Sequence, residues 1–382
     1  MALTLRRAMK AEPLRNFRVA AGAGGFDRRL AAVNILDYEY DGIGEADVPR
    51  GLFQRGAFVL TSFLFAKNRP QLVLPALRAL VRDGAAAVAV KTVCLAKLPR
   101  EAAEFADQVD FPVLFFDNCY FEDVIVAVSA QIRQHNDFEA LERSAAALAE
   151  NGLSRSDVRS MAAELKLPAA PFASCCCLSS NAEAEDFYAR FADAERLCGG
   201  AALVLPYKGR LLFTMRVLEG SPAAAAARLL ARAGLTAADY FVGTGGLHTE
   251  ADEFDYSLIE SVCACERAGR LGLSSAEFGA MGLERLTAPL ASSHWLASFC
   301  DSMLKPLREF DDKHAAELLP TLRAYVASEG DAAAAAALLH IHKNTVHYRL
   351  SQIKTLLDAG EGFYEQAALA VRCEPFVHSP KS

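Results

Sequence analysis

"HIHKNTVHYRL", residues 340–350, places three of the chain's eight histidines within eight positions. The stretch admits a metal site or a helix that reads DNA, and the two demand different geometry. Histidines that share a metal from one helix stand four apart, because i and i+4 lie on one face. His342 and His347 are five apart, which separates them by about 140° at about 100° per residue. They point away from each other. His340 and His342 could converge only on an extended segment, and the motif holds no Cys, Asp or Glu to complete a ligand set. No metal site is expected here.

Read as helix, the same stretch is orderly. Val346, Leu350, Ile353 and Leu357 recur at i, i+4, i+7 and i+11, which makes one apolar stripe. Asn344, Thr345, His347, Tyr348, Ser351 and Gln352 fall on the polar side. Upstream, "DAAAAAALL" (331–339) predicts a short helix with Asp331 as N-cap and alanines that let a second helix approach closely. "HIH" is then a tight turn, with Ile341 as a buried plug and His340 where Gly is common. Helix, turn and helix of this length make a helix-turn-helix. An amphipathic hairpin in a helical core shares the pattern. What favours DNA is the start of the second helix, where Lys343, Asn344 and Thr345 can meet phosphates and base edges. The segment is only weakly basic, with Lys343, Arg349 and Lys354 against Asp331 and Asp358.

The rest of the chain sets bounds. Its 382 residues suffice for two or three domains, and 52% hydrophobic with 23% charged residues describes a globular protein. A net charge of −7 argues against coating nucleic acid without specificity, while leaving room for a local basic site. No apolar run reaches the ~18 residues of a membrane span, so no membrane partner is expected. The basic first thirty residues lack the apolar core of a targeting signal and predict a folded helix and loop. Ten cysteines without a secretory signal imply reduced thiols in a cytoplasm. Cys175, Cys176 and Cys177 fit neither a disulfide framework nor a zinc spacing, and "PFASCCCLSS" predicts a buried strand.

Between residues 26 and 135 strands and helices alternate. "LAAVNIL" predicts a strand, followed by a long polar loop; "GAFVLTS", "AAAVAVK" and "FPVLFFD" predict three more. Helices are expected over 69–84 with Gly84 as the stop, over 98–110 with Pro99 near the first turn, and from Tyr120 onward. Such repeats imply a parallel or mixed sheet with helices packed on it. "AGAGGFD" (21–27) resembles a phosphate loop, yet no strand is expected before it and no helix directly after, so a flexible connection is predicted. Ligands of open α/β sheets sit at the carboxyl ends of strands. Those ends offer Thr61, Ser62, Lys91, Thr92, Asp117 and Asn118 as candidate effector-binding residues, suited to a small polar metabolite.

Residues 138–167 predict helices with a turn at 151–157, a place where dimer contacts could form. Strands follow at "FASCCCLS", "ALVLPYKGRLLFTMRVLEG" and "DYFVGTGGLHT", the second as a hairpin with Tyr207–Arg210 at its tip. "SLIESVCACERAGRLG" (257–272) predicts a helix.

Two resemblances sharpen these readings. "HKNTVHYRLSQIKTLL" (342–357), with its lead-in from Leu304, resembles the C-terminal helix-turn-helix of PucR/CdaR-type bacterial transcription regulators, whose motif reads H-R-N-T-[LV]-x-Y-R-L. Lys343 and His347 stand where that family more often has Arg, which weakens non-specific DNA affinity. "GFDRRLAAVNILDYE", "LFQRGAFVLTS", "LVRDGAAAVAVK", "LPREAAEFADQVDFPVLFFD" and "YFEDVI" resemble the same family's N-terminal purine-catabolism-regulator domain. That resemblance implies a sensory domain, with purine-breakdown intermediates such as allantoin among the family's cues. The strand, glycine turn and helix after residue 239 resemble the family's degenerate GGDEF-like middle domain. A nucleotide cyclase needs a signature loop and metal-binding carboxylates; "GTGGLHTEADEF" (243–254) lacks the contiguous signature, so no enzyme is expected.

The expected protein is a DNA-binding, ligand-responsive transcription regulator without catalytic residues, metal or cofactor. It comprises an α/β sensor at 1–137, an α+β linking and GGDEF-like region at 138–285, and an all-α helix-turn-helix domain at 286–382. Lys343, Asn344, Thr345, His347 and Tyr348 would face double-stranded DNA, while Arg349 would reach a phosphate or brace the fold. Because one helix reads few base pairs, a homodimer on half-sites about 34 Å apart is expected. A nucleotide-cyclase-like enzyme and a protein-interaction module with a helical C-terminus are the alternatives.

Overall fold

The computed structural model describes residues 3–36, 51, 53–150, 152–180, 187–235, 239–291 and 293–377. The polar loop expected after residue 36 falls on 37–50, and Asn151 of the turn at 151–157 is likewise outside the described residues. The chain divides into two compact units, Met1–Arg143 and Ser144–Ser382.

The first unit is built on one five-stranded sheet. In chain order its elements are α1 (Leu5–Ala8), β1 (Arg18–Ala21), β2 (Ala32–Ile35), β3 (Ala57–Thr61), α2 (Val73–Arg82), β4 (Ala87–Lys91), α3 (Arg100–Gln108), β5 (Val113–Phe116) and α4 (Phe121–Ala149). The strand order is β1-β5-β4-β3-β2. β2 to β5 are parallel, and β1 closes the edge antiparallel to β5. Parallel strands covered on both faces are apolar throughout, and β3, β4 and β5 are buried almost end to end. Alternation then sends Val59, Val88, Val90 and Val113 to the side of α2 and α3. Phe58, Leu60, Ala89 and Leu114 go to the side of α1 and the first turns of α4.

Every expected element of this unit is present, with one addition. The sequence predicts helix and loop over β1, whose four residues run from exposed to buried without alternation. It immediately precedes "AGAGGFD", so the expectation of no strand before that loop is corrected. The loop is also not a flexible connection. Ala23–Gly25 form a single 3-10 turn, and a Cβ on Gly22 would stand 1.9 Å from the Phe111 carbonyl oxygen.

The second unit carries a separate sheet, with strand order β10-β9-β6-β8-β7. After α4 its elements are α5 (Arg155–Glu164), β6 (Phe172–Ser179), α6 (Phe187–Cys198), β7 (Ala202–Tyr207), β8 (Arg210–Arg216), α7 (Pro222–Arg232), β9 (Tyr240–Thr244), α8 (Phe254–Leu271) and β10 (Ser275–Glu277). This region is α+β: β6, β7, β8 and β9 pair antiparallel, with only β9 and β10 parallel. The hairpin tip is where it was expected, at Lys208 and Gly209, both with positive φ, as a two-residue hairpin turn requires. Cys175, Cys176 and Cys177 lie in the buried central strand β6. α8 packs across β6 and β9, and Arg155 ties α5 to it by a two-pronged ion pair with the buried Asp255.

The remaining chain is all helix: α9 (Glu284–Thr287), α10 (His294–His314), α11 (Leu318–Ala327), α12 (Ala332–Leu339), α13 (Lys343–Leu356) and α14 (Phe363–Val377). Leu304, Leu307, Leu318, Leu322, Ala335, Val346, Ile353, Ala367 and Ala370 form its core. Glu374 bridges Arg308 at 2.7 Å and Arg323 at 2.6 Å, holding α14 against α10 and α11. Trp295, in the first turn of α10, is 82% exposed. Among the described residues no helix is long and apolar enough to cross a membrane.

Candidate nucleic-acid interface

α12 and α13 meet as the sequence predicts. Asp331 caps α12, its carboxylate accepting from the Ala333 and Ala334 amides at 2.7 and 3.3 Å. The helix stops at His340, which adopts the left-handed conformation (φ 54°) that a C-terminal cap requires. His342 then caps α13, its Nδ1 accepting from the Asn344 amide at 3.2 Å. The histidines of "HIH" are thus turn and cap groups. Among the described residues no group of three His, Cys, Asp or Glu side chains is placed to hold a metal ion. Ile341 is only partly buried, a lighter plug than expected, and packs against the edge of the core.

The apolar stripe faces inward. Val346 and Ile353 are fully buried, Leu350 nearly so, and Leu357 partly. With about 100° per residue, the direction opposite this stripe belongs to Asn344, Tyr348, Ser351 and Thr355. All four are exposed, and Tyr348 keeps 64% of its surface open. Gln352 borders this face and donates to the Tyr348 hydroxyl at 3.2 Å. On one flank lie Lys343, His347 and Lys354, which line a cavity of about 530 Å³ together with Asp331 and Phe363. The Lys354 ammonium sits 5.3 Å from the Phe363 ring centre.

The opposite flank is committed to the fold. Arg349 donates to Glu317 Oε2 at 2.8 Å and to Thr321 Oγ1 at 3.2 Å, and its side chain is only 17% exposed. It braces α13 against α11, the second of the two roles expected of it. Thr345 is half-buried beside it. The six expected residues therefore divide: Asn344 and Tyr348 share the outward face, Lys343 and His347 the basic flank, Thr345 and Arg349 the inner flank. The sequence places Ser351 on the polar side and Lys354 among the basic residues without assigning either to DNA, and it does not single out Thr355. Continuing the period of 3.6 from Asn344 and Lys343 would have found them.

Asp311, near the end of α10, accepts from the Leu318 and Leu319 amides at 2.7 and 2.9 Å, satisfying the first turn of α11. Between its two arginines Glu374 is stabilised as carboxylate: burial alone would raise its pKa, and Arg323 and Arg308 outweigh that and lower it.

The expected effector residues lie along the carboxyl edge of the first sheet, as adjacent ends of β3, β4 and β5. Thr61 is wholly buried and its hydroxyl accepts from the Phe63 amide at 2.9 Å, so it cannot touch a ligand as it stands. Ser62 and Thr92 are half-buried, Asp117 and Asn118 exposed. The Lys91 ammonium lies 4.9 Å from the Tyr120 ring centre.

Comparison with known proteins bears on both ends of the chain. Residues 7–132 match the Purine catabolism regulatory protein-like family, and residues 318–361 match the PucR C-terminal helix-turn-helix domain. No curated protein matches the chain. Among solved structures, a regulator of polyketide synthase expression from Bifidobacterium adolescentis aligns at 12% identity over 61% of this chain and 97% of its own, with a TM-score of 0.28. That score is too low to carry an argument. The two domain matches flank the α+β region and leave it unassigned. The chain thus carries two PucR-type domains, an N-terminal one at residues 7–132 and, at residues 318–361, a helix-turn-helix of the kind that binds DNA in transcription regulators.

Proposed function

We propose that the regulator reads its operator with the outward face of α13 and answers to a small metabolite bound by the N-terminal unit. Asn344, Tyr348 and Ser351 would meet base edges, with Thr355 at the far end of the same face. Lys343, His347 and Lys354 would follow the adjoining phosphates. The observation that carries this reading is the exposed polar face of α13 directly opposite its buried stripe. Arg349, spent on Glu317 and Thr321, is assigned to positioning. The organisation proposed is a sensor at 1–137, a linking and degenerate GGDEF-like region at 138–285, and the DNA-binding domain at 286–382, acting as a homodimer. Ser62, Lys91, Thr92, Asp117 and Asn118 are the first positions to test for a neutral or polar cue such as a purine-breakdown intermediate. An effector can shift such a regulator only by binding two of its states unequally.

The middle region serves structure in this reading. Gly243 lies against the backbone of α8, where a Cβ would stand 2.0 Å from the Cys265 nitrogen. The Gly246 amide donates to Glu260 at 2.7 Å. These glycines are filled by the protein itself.

Fluorescence anisotropy with the DNA flanking the protein's own gene, against a scrambled duplex and at two salt concentrations, tests the proposal. Asn344→Ala is expected to cost about 1–3 kcal/mol on the cognate site and to relax specificity, whereas Lys354→Ala should weaken all duplexes alike and lower the salt slope by about one. Indifference to Asn344→Ala would transfer α13 to a protein partner.

A further inference from the structure

A concavity of about 570 Å³ opens at the amino ends of β3 and β4, on the sheet edge opposite Thr61, Lys91 and Asp117. Its floor is Gly56, Gly84 and three alanines; its rim is Arg28, Arg29 and Arg55. The floor is bare for a reason. Gly56 and Gly84 both have φ +81°, and a Cβ on Gly84 would press to 3.1 Å from the Arg55 side chain. A left-handed backbone that favours glycine keeps the space beneath the arginines open.

The rim carries more charge than its carboxylate partner neutralises. Arg28 is fixed by the carbonyl oxygens of Ala85 and Val109 at 3.3 and 3.0 Å, with its guanidinium 5.6 Å from the Phe111 ring centre. Carbonyls and a ring orient a guanidinium but do not cancel its charge. Arg29 has one carboxylate, Glu139 of α4, at 3.0 Å. Arg55 has no ion-pair partner among the described residues. Three arginines thus line one space, and among the described residues one carboxylate, Glu139, pairs with one of them.

We propose that this pocket binds a small dianion, a phosphomonoester or a dicarboxylate, through the guanidinium fork of Arg55, with the charges of Arg28 and Arg29 bordering it. Planar forks match carboxylate and phosphate oxygens two at a time. The volume is that of a metabolite site, and its concave, small-residue floor favours a compact ligand over a duplex. An anion that draws Arg29 inward competes with Glu139 and so acts on α4. This goes beyond the metabolite response proposed above by fixing a charge class and a place, and it does not depend on how DNA is read.

Calorimetric titration of the full-length protein at constant ionic strength tests it, with inorganic phosphate, succinate and acetamide as probes. Phosphate or succinate should saturate at one per chain while acetamide gives no heat. Phosphate alone would identify a phosphomonoester, succinate alone a dicarboxylate. Arg55→Ala should weaken binding about tenfold or more, Arg55→Lys less, and the remote surface variant Arg100→Ala not at all. Absence of saturable binding by both anions, or equal affinity in Arg55→Ala, overturns the proposal. So does a loss confined to Lys91→Ala, which would place the anion at the opposite edge. Operator affinity measured on the same samples separates the two readings. Failure of the wild type to bind DNA would count against the α13 assignment and leave the anion titration standing. Loss of ligand-free DNA binding in Arg55→Ala would give the arginines to DNA and overturn the pocket.

Discussion

"AGAGGFD" and "GTGGLHT" look alike in sequence, and each follows a strand, β1 in one unit and β9 in the other. Both could be taken for loops that cradle a phosphate, since successive amides after a strand suit an anion. In each the protein supplies the anion itself. The Gly22 amide donates to Asp107 Oδ1 at 2.6 Å, and the Gly246 amide donates to Glu260 Oε2 at 2.7 Å. The glycines serve close packing of backbone on backbone. The difference lies in what else the carboxylate meets. Asp107 caps a turn, whereas Glu260 also faces the imidazole of His248 at 3.2 Å, which reaches Glu253 at 3.4 Å. A glycine loop is therefore a packing device first, and only its second neighbours decide whether it responds to pH.

Substitution of the glycines should produce the largest effects. Gly22→Ala combines a methyl 1.9 Å from a carbonyl oxygen with φ +71°, and about 3 kcal/mol or more of stability should be lost. Gly243→Ala, 2.0 Å from the Cys265 nitrogen, must push α8 off β9, at a cost of about 3 kcal/mol. Hydrogen exchange locates each loss: amides of β1 and β5 should quicken in the first variant, those of β9 and α8 in the second. Equal exchange in both would break the comparison at its root.

Glu260→Gln is expected to cost on the order of 1–2 kcal/mol, since an oxygen stays for the Gly246 amide while the charge facing His248 is lost. The pH profile sharpens the contrast further. Burial lowers the His248 pKa, but Glu260 and Glu253 outweigh it, so the folded value lies above the usual 6.5. Its contribution is whole below pH 6.5 and is lost as pH rises through the raised value. Burial raises the Glu260 pKa, but His248, the Gly246 amide and Arg285 outweigh it, so the folded value lies below the usual 4.5. Its contribution is whole above pH 4.5 and is lost as pH falls through the depressed value. Thermal unfolding of the second unit should therefore show a component of about 1 kcal/mol, greatest between those limits, that His248→Gln abolishes. Asp107→Asn should have the smallest effect, under about 1 kcal/mol, since an oxygen stays for the Gly22 amide. A loss as large as that of Glu260→Gln would erase the distinction.

What could be read from the sequence was what depends on near neighbours. The Asp331 cap, the left-handed turn at His340 and the stripe from Val346 to Leu357 are all settled within a few residues, and all are in place. So are β3, β4 and β5, whose apolar runs leave no other role. β1 escaped because a four-residue edge strand, exposed at its first two residues, has no alternation to display. α6 and α7 were passed over, although Ser221 and Pro222 are a plain helix start, with Ser221 accepting from the Ala224 amide at 3.2 Å. The partner of Arg349 lies 32 residues away, beyond any local pattern. The arginine pocket is the extreme case, since Arg28 and Arg55 meet only because β2 and β3 are neighbours. Of the interface itself, the helix was legible and the division of its faces was latent in its period. Which flank was already committed required Glu317 and Thr321.

Trp295 has a practical consequence of a different kind. It is the sole tryptophan of the chain and stands 82% exposed at the start of α10, edge-on to His294 with ring centres 5.7 Å apart. An indole already bathed in water emits near its long-wavelength limit, so losing either core will hardly move the colour of the light. Melting curves followed by that fluorescence will understate every transition described above. The same lamp turns blue only when something dry comes to rest on the first turn of α10, which makes it a built-in indicator of association at that spot.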